Sequence, residues 1–314
     1  MRRRGLLAAA LAWPALAHAA WPAKPLRILV AYPPGGVSND MARVLALALA
    51  PRLGVPVLVE NRPGAGGSVA MELLARAPAD GHTLCFSAIT PLTLMPQLAA
   101  PRYDPLRDIA PVLSVMLTPV LVVATPAFQG HTLADVLSQA QAQPGALRWA
   151  TTGLGTTGHF VLEQLRRAQA LDITHVPYQG GGAQLTDALS GQFELLSTNV
   201  GPQQLQYVRE GRLTPLAVGA PQRLPVLPQV PTLAELGFAA ANRASVFGLF
   251  APGATPVAVL DRLNTLGNEV LAQPELRARL LAVNNLPTGG TRAAFAQEIA
   301  QEAAAAGAAP PGIR

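Results

Sequence analysis

The sequence predicts an α/β protein shaped as a clamshell, with two α/β lobes joined by two crossing strands. Three observations lead there. The 314-residue chain alternates apolar runs with helical segments along its length, and that length suffices for one large or two medium domains. The apolar runs are continuous rather than alternating, as in parallel strands covered on both faces. Two stretches, one overlong and one late in the chain, suit passage between lobes.

The first lobe opens with "LRILVAY", followed by a helix from about Asp40. Met41, Val44, Leu45, Ala48 and Leu49 fall on one stripe of that helix. Gly54 and Pro56 stop it, and Pro51 is expected to shorten it. "VPVLVEN" then precedes the helical "RPGAGGSVAMELLARA", and "HTLCFSAI" precedes "TPLTLMPQL". "VLSVMLTPVLVVATP" is too long for an ordinary strand and carries Pro119 mid-way, so it reads as a crossing.

In the second lobe, the strands "LRWATTG", "ITHVPY", "FELLSTNV" and "TPLAVGA" alternate with the helices "TLADVLSQAQAQ", the one after "GLGTTGHF", "GGAQLTDALSG" and "GPQQLQYVREG". "SVFGLFAP" is the second candidate crossing. Three helices follow, and "GAAPPGIR" is expected to fray. The expected division is 1–19 as a signal peptide, 20–118 with 242–314 as the first lobe, and 119–241 as the second.

The N-terminus supplies the signal-peptide reading. Arg2, Arg3 and Arg4 precede a short apolar core from Leu6 to Leu16, and Ala17-His18-Ala19 fits a small-x-small cleavage site. Pro14 and the short span argue against a membrane anchor. Cleavage removes three arginines and no acids, so the formal charge falls from +5 to +2. Lys24 is the only lysine, and no basic run carries interleaved aromatics, which gives nucleic-acid binding little support. Cys85 stands alone in an apolar run and reads as a small core residue. Export without disulfides points to the bacterial periplasm.

Catalytic signals are poor. No metal-ligand spacing and no phosphate-cradling G-x-x-x-x-G-K-[ST] motif occurs, and no cofactor is implied. His82 reads as a turn residue and His175 as packing. His159, near Thr156 and Thr157, is the best candidate for a base, although a bond to a neighbour at the helix start is the plainer role.

Binding signals are better. In "AYPPGGVSND", Gly35 and Gly36 bare backbone amides before a helix, with Ser38 and Asp40 able to cap it. "ATTGLGTTGHF" offers Thr151, Thr152, Gly153, Gly155, Thr156 and Thr157 at a second strand end. Ser87 and Thr90 stand at a third, and Asn199 at a fourth. Each alone is most simply a turn. Together they put bare amides and small hydroxyls at strand ends in both lobes, where ligands of open α/β sheets bind. Each helix start carries roughly half a positive charge, so carboxylates are favoured.

Seven blocks in order carry a resemblance: "WPAKPLRILVAYPPGGVSNDMAR", "VENRPGAGGSVA", "APADGHTL", "YDPLRDIAPV", "HVPYQGGGAQLTDALSGQ", "RLPVLPQVPTLAELG" and "FGLFAPGATP". They span nearly the whole mature chain. The sequence resembles the periplasmic solute-binding proteins of tripartite tricarboxylate transporters, the Bug or TctC family. The resemblance implies a type II periplasmic-binding fold and an organic acid, or a neutral relative such as an amide, held by backbone amides, hydroxyls and waters. It implies membrane transporter subunits as partners. By position, the implied contacts are Tyr32 to Ser38 (with Pro34, Gly35 and Gly36), Ser87 to Thr90 (with Ile89), Thr151 to Thr157, Tyr178 and Asn199; His159 completes the expected set. The family does not grip its carboxylate mainly by arginine, and these loops contain none. The chain departs from the family at Gln179, where lysine is common, at Ser197-Thr198-Asn199, where "FDN" is usual, and in an alanine-rich last helix.

Capture of a small carboxylate for transport is therefore the leading expectation. A ligand sensor signalling to a membrane histidine kinase is the alternative, and a hydrolase using His159 with a nearby threonine is a third.

Overall fold

The computed structural model describes residues 21–307. The predicted signal peptide and the last residues of the predicted frayed end lie outside them. The first sheet is assembled from β1 (Leu26–Val30), β2 (Val57–Asn61) and β3 (Thr83–Ala88), which run parallel in the order β2-β1-β3. Late in the chain, β9 (Ala244–Pro252) returns antiparallel to β3 and joins β4 (Ile109–Ala124) to this sheet.

β4 is the hinge element. Its 16 residues belong to two sheets in turn. Ile109 to Pro119 pair with β9, and Val120 to Ala124 pair with β7 (Leu195–Asn199) and β8 (Thr214–Gly219) of the second sheet. Pro119 sits at the change of partner, where its missing N–H costs no ladder bond, and its carbonyl still accepts from the Val200 amide at 2.9 Å. The second sheet continues from β7 to β5 (Arg148–Thr151) and β6 (Thr174–Pro177), all parallel. The chain returns to the first lobe through Asn242, whose side chain donates to the Ala220 carbonyl (2.8 Å) and accepts from the Ala220 amide (3.2 Å). The "SVFGLFAP" stretch, as β9, then pairs wholly within the first sheet.

Helices cover both sheets. α1 (Val37–Leu53) lays Met41, Leu45 and Leu49 on Leu26, Ile28 and Val30 of β1. Each fully buried leucine there contributes about 2 kcal/mol. Pro51 does not shorten α1. The carbonyl its missing N–H would have used belongs to Leu47, which is 77% exposed, so that face is open to water, and Gly54 closes the helix in the left-handed conformation. α2 (Ser68–Ala75), α3 (Thr90–Thr93) and α4 (Met95–Leu98) complete this part of the first lobe. The second lobe carries α5 (Leu133–Ala142), α6 (Thr157–Ala168), α7 (Gly181–Leu189) and α8 (Pro202–Arg209). α9 (Val257–Leu271), α10 (Pro274–Ala282), the short β10 (Leu286–Pro287) on β4, and α11 (Arg292–Gly307) return to the first lobe.

Cys85 is fully buried in the first core. β2 differs from the expectation of two covered faces: it is a sheet edge, and Leu58 is exposed. No helix among the described residues is long and apolar enough to cross a membrane.

Candidate functional site

A cavity of about 430 Å³ lies between the lobes. The first lobe contributes Tyr32 to Ser38, Thr90, Ser245 and Phe247. The second contributes Thr152, Thr156 to Gly158, Gly180 to Gly182, and Ser197 to Asn199.

The first-lobe loop follows directly from β1. The Asn61 amide, at the end of neighbouring β2, donates to the Tyr32 carbonyl at 2.8 Å and fixes the loop's exit. The Tyr32 ring packs edge-on against Phe247 at 6.0 Å, and burial pushes its hydroxyl pKa up to about 12. Gly35 adopts φ +85°, which glycine tolerates best. Gly36 is the N-cap of α1, and no side chain caps this end. Ser38 and Asp40 lie inside the first turn, so the capping expected of them does not occur. The first helical amides are therefore left to face the cavity without a side-chain acceptor.

The same construction recurs in the second lobe, at places the sequence analysis does not single out. α7 starts after Gly180 and α8 after Gly201, again with no side-chain cap. Both glycines line the cavity. At α8, Pro202 has no N–H to offer, so Gln203 and Gln204 carry the first free amides there. Three uncapped helix starts, from both lobes, thus converge on one cavity. Their aligned peptide dipoles favour an anion.

α6 behaves differently. The Thr156 hydroxyl donates to the Gly153 carbonyl at 2.8 Å and accepts from the His159 amide at 3.4 Å, so this helix start is capped by its own residue. The Thr151 hydroxyl is engaged with Gly153 and with His175 Nε2 at 2.7 Å.

Of the expected ligand contacts, Tyr32, Pro34, Gly35, Gly36, Ser38, Thr90, Thr152, Thr156, Thr157 and Asn199 lie on the cavity wall. The other seven lie off it, for identifiable reasons. Ser87 and Ile89 are buried beneath the loop. Thr151 is buried, with its hydroxyl engaged. Gly153 packs under its own lobe, where a Cβ would meet the Tyr178 carbonyl oxygen at 3.1 Å, and Gly155 packs on the opposite lobe, where a Cβ would meet the Met95 sulfur at 2.0 Å. Tyr178 donates to Asp187 at 2.7 Å and packs on Phe193. His159 Nδ1 accepts from the Gly155 amide at 3.2 Å, and its ring stacks on His175 at 4.3 Å. That is the helix-start role expected of His159. Burial, and for His175 the neighbouring His159, depress both imidazole pKa values to about 4.

Wall residues that the sequence analysis does not place among the ligand contacts include Gly180 to Gly182, Gly201, Ser197, Thr198, Ser245, Phe247 and Arg279. The first four share the strand-glycine-helix signal already seen at Gly35 and Gly36. The others are brought in only by the tertiary fold. Ser197 is held from below: its hydroxyl accepts from the Trp149 indole at 3.1 Å and donates to the Gly158 carbonyl at 2.8 Å.

Two α/β lobes on a shared hinge strand, with one cavity bounded by strand ends and helix starts, define a periplasmic binding protein of the two-domain clamshell class. The chain belongs to the tripartite tricarboxylate transporter family of receptors, whose family model matches residues 41–308. It is 36% identical over 258 residues to Protein BugT of Bordetella pertussis, covering 80% of this chain and 77% of that protein. Among solved structures, an R. palustris protein with adipate is 29% identical with a TM-score of 0.85, covering 91% of this chain and 98% of that one. MatC from Rhodopseudomonas palustris with bound malate gives the same identity, TM-score and coverage.

Proposed function

We propose that this protein is exported to the periplasm, captures a small organic acid between its lobes, and delivers it to membrane subunits of a tripartite tricarboxylate-type transporter. The observation that carries the reading is the convergence of three uncapped glycine helix starts, from both lobes, on one cavity. Such a wall offers N–H donors to an anion; among the described residues no cluster of three metal-ligating side chains occurs. The adipate and malate held by two structural relatives agree with a carboxylate.

In this reading residues 20–118 and 242–314 close against 119–241 about β4 and the segment leading into β9, and cleavage after Ala19 releases the mature chain. The contacts are the wall residues around Gly35, Gly36, Thr156, Thr157 and Asn199, together with Gly180 to Gly182. A thermal-shift screen of mono-, di- and tricarboxylates and aromatic acids tests capture, because a ligand bound only by the folded form raises the melting point. At least one acid should do so, and calorimetry should give reversible binding without turnover. Uptake of that acid by cells carrying the membrane subunits should require this protein. Binding without any effect on uptake would favour the sensor alternative.

A further inference from the structure

We propose that the two lobes carry an apolar latch, built on Phe160 and Leu94 away from the cavity, which holds them together whether or not an acid lies between them. The proposal rests on the two-lobe capture reading above and not on what is captured.

Most buried apolar side chains belong to the core of one lobe or the other. Leu94, Phe160 and Ala306 instead form a small cluster of their own. Phe160 stands in the first turn of α6, in the second lobe. Leu94 joins α3 to α4 and Ala306 is near the end of α11, both in the first lobe. The Arg243 guanidinium lies 5.7 Å from the centre of the Phe160 ring, and an ion pair of 2.8 Å with Glu302 of α11 holds it there. The Phe160 ring is thus covered by the first lobe, although its helix belongs to the second.

Beside this cluster the main chain of the second lobe is pressed onto the first. Met95 fills the hollow left by the missing side chain of Gly155. The Gly155 amide is held in place by donating to His159 Nδ1. A Cβ on Gly66 would meet the Leu154 carbonyl oxygen at 2.4 Å, so backbone lies on backbone there. The gap left among Leu98, Gly155, His159 and Phe160 is about 10 Å³, room for one water at most.

None of Leu94, Met95, Gly155, Phe160 and Ala306 lines the cavity between the lobes. A captured acid therefore neither makes nor breaks these contacts. Parting the lobes returns Phe160 and Leu94 to water, so their burial favours closure of the empty and the filled protein alike. Entry and exit of an acid both wait for opening, and a latch common to both forms slows both. The competing role for Phe160 is packing that steadies α6 alone.

Scattering and kinetics separate the two. Small-angle scattering is recorded without acid on the wild type, Phe160→Ala and Leu94→Ala, which approach the contact from opposite lobes. The wild type should match the closed arrangement described above, and each variant should have a larger radius of gyration. Stopped-flow with adipate and with malate should show dissociation from either variant at least about tenfold faster than from the wild type, as loss of a buried apolar contact of this size allows. Association should be faster as well. The double variant should differ little from the singles, because all three remove one contact. A lower melting point with unchanged scattering and rates would overturn the proposal in favour of packing. Faster dissociation with unchanged association would also overturn it, because the latch would then form only on the filled protein. Leu94→Ala carries the test should Phe160→Ala not fold. If the wild type bound no acid, the carboxylate reading would fall, and the scattering comparison would still decide the latch.

Discussion

The Ser245 hydroxyl of the first lobe donates to the Asn199 side-chain carbonyl of the second at 2.7 Å. Ser245 stands near the start of β9, and Asn199 ends β7. Both line the cavity, so this bond links the lobes at the cavity floor, beside the hinge. It ties the angle between the lobes to the geometry of the site. Ser245→Ala removes it. A hydrogen bond of this kind contributes about 1 kcal/mol net, so affinity for the captured acid should fall about fivefold. Small-angle scattering of the unliganded variant should show a more open average shape. Unchanged scattering and affinity would mean that the bond does not hold the lobes together.

Gly36 offers the cleanest test of close backbone approach. Its φ of −103° suits any residue, and a Cβ there meets no protein atom within 4 Å. Gly36→Val therefore fills only the space where the acid would lie. Binding should become undetectable, with the melting point within about 4 °C of wild type. Gly35 is a poorer choice, because its φ of +85° strains any replacement regardless of ligand. Wild-type affinity in Gly36→Val would remove the α1 start from the site.

Ser197 couples the site to the second core. Ser197→Ala leaves the buried Trp149 indole N–H without its partner, at a cost of about 1–3 kcal/mol. It also frees Gly158, which lines the cavity. The melting point should drop by several degrees, and Trp149→Phe in the same chain should recover part of the loss. A double variant no more stable than Ser197→Ala would show that the unpaired indole is not the source of the loss.

Acid should weaken the fold through the stacked imidazoles. The side chains facing them are Thr151, Glu163 and Arg166, and burial, with Arg166, favours the neutral forms. The folded pKa values near 4 lie below the ordinary 6.5. The unfolded chain therefore binds more protons between these values, and stability falls as pH drops through that window. Protonation of His159 would also place a hydrogen on Nδ1, where it now accepts the Gly155 amide. That amide belongs to the loop that touches Met95 and Leu98 of the other lobe. Between pH 7 and pH 4.5 the melting point should fall by about 5 °C more in the wild type than in a His159→Gln, His175→Gln double variant. Parallel pH profiles would contradict this origin.

The lobes, the order of elements and the long hinge strand are legible in the sequence, because a continuous apolar run of parallel-strand type followed by a helical stripe is a local pattern. "VLSVMLTPVLVVATP" betrays the hinge by its length and by Pro119 in its middle. The site is harder to read. Gly35 and Gly36 stand out after an apolar strand, yet Gly180 and Gly201 repeat the pattern after more polar strands, THVP and LLSTN. Thr156 draws attention for its hydroxyl, but threonine at a helix start most often caps its own helix, and here it does. Arg279 lies more than two hundred residues from Asp40. Only the tertiary fold brings both to one cavity.

The measurement closest to the central claim is a crystal structure of the protein with its captured acid. One carboxylate should lie within about 3 Å of main-chain nitrogens in the first turn of α1 and of at least one at the start of α7 or α8. An acid held by side chains alone, with those amides bound only to water, would contradict it.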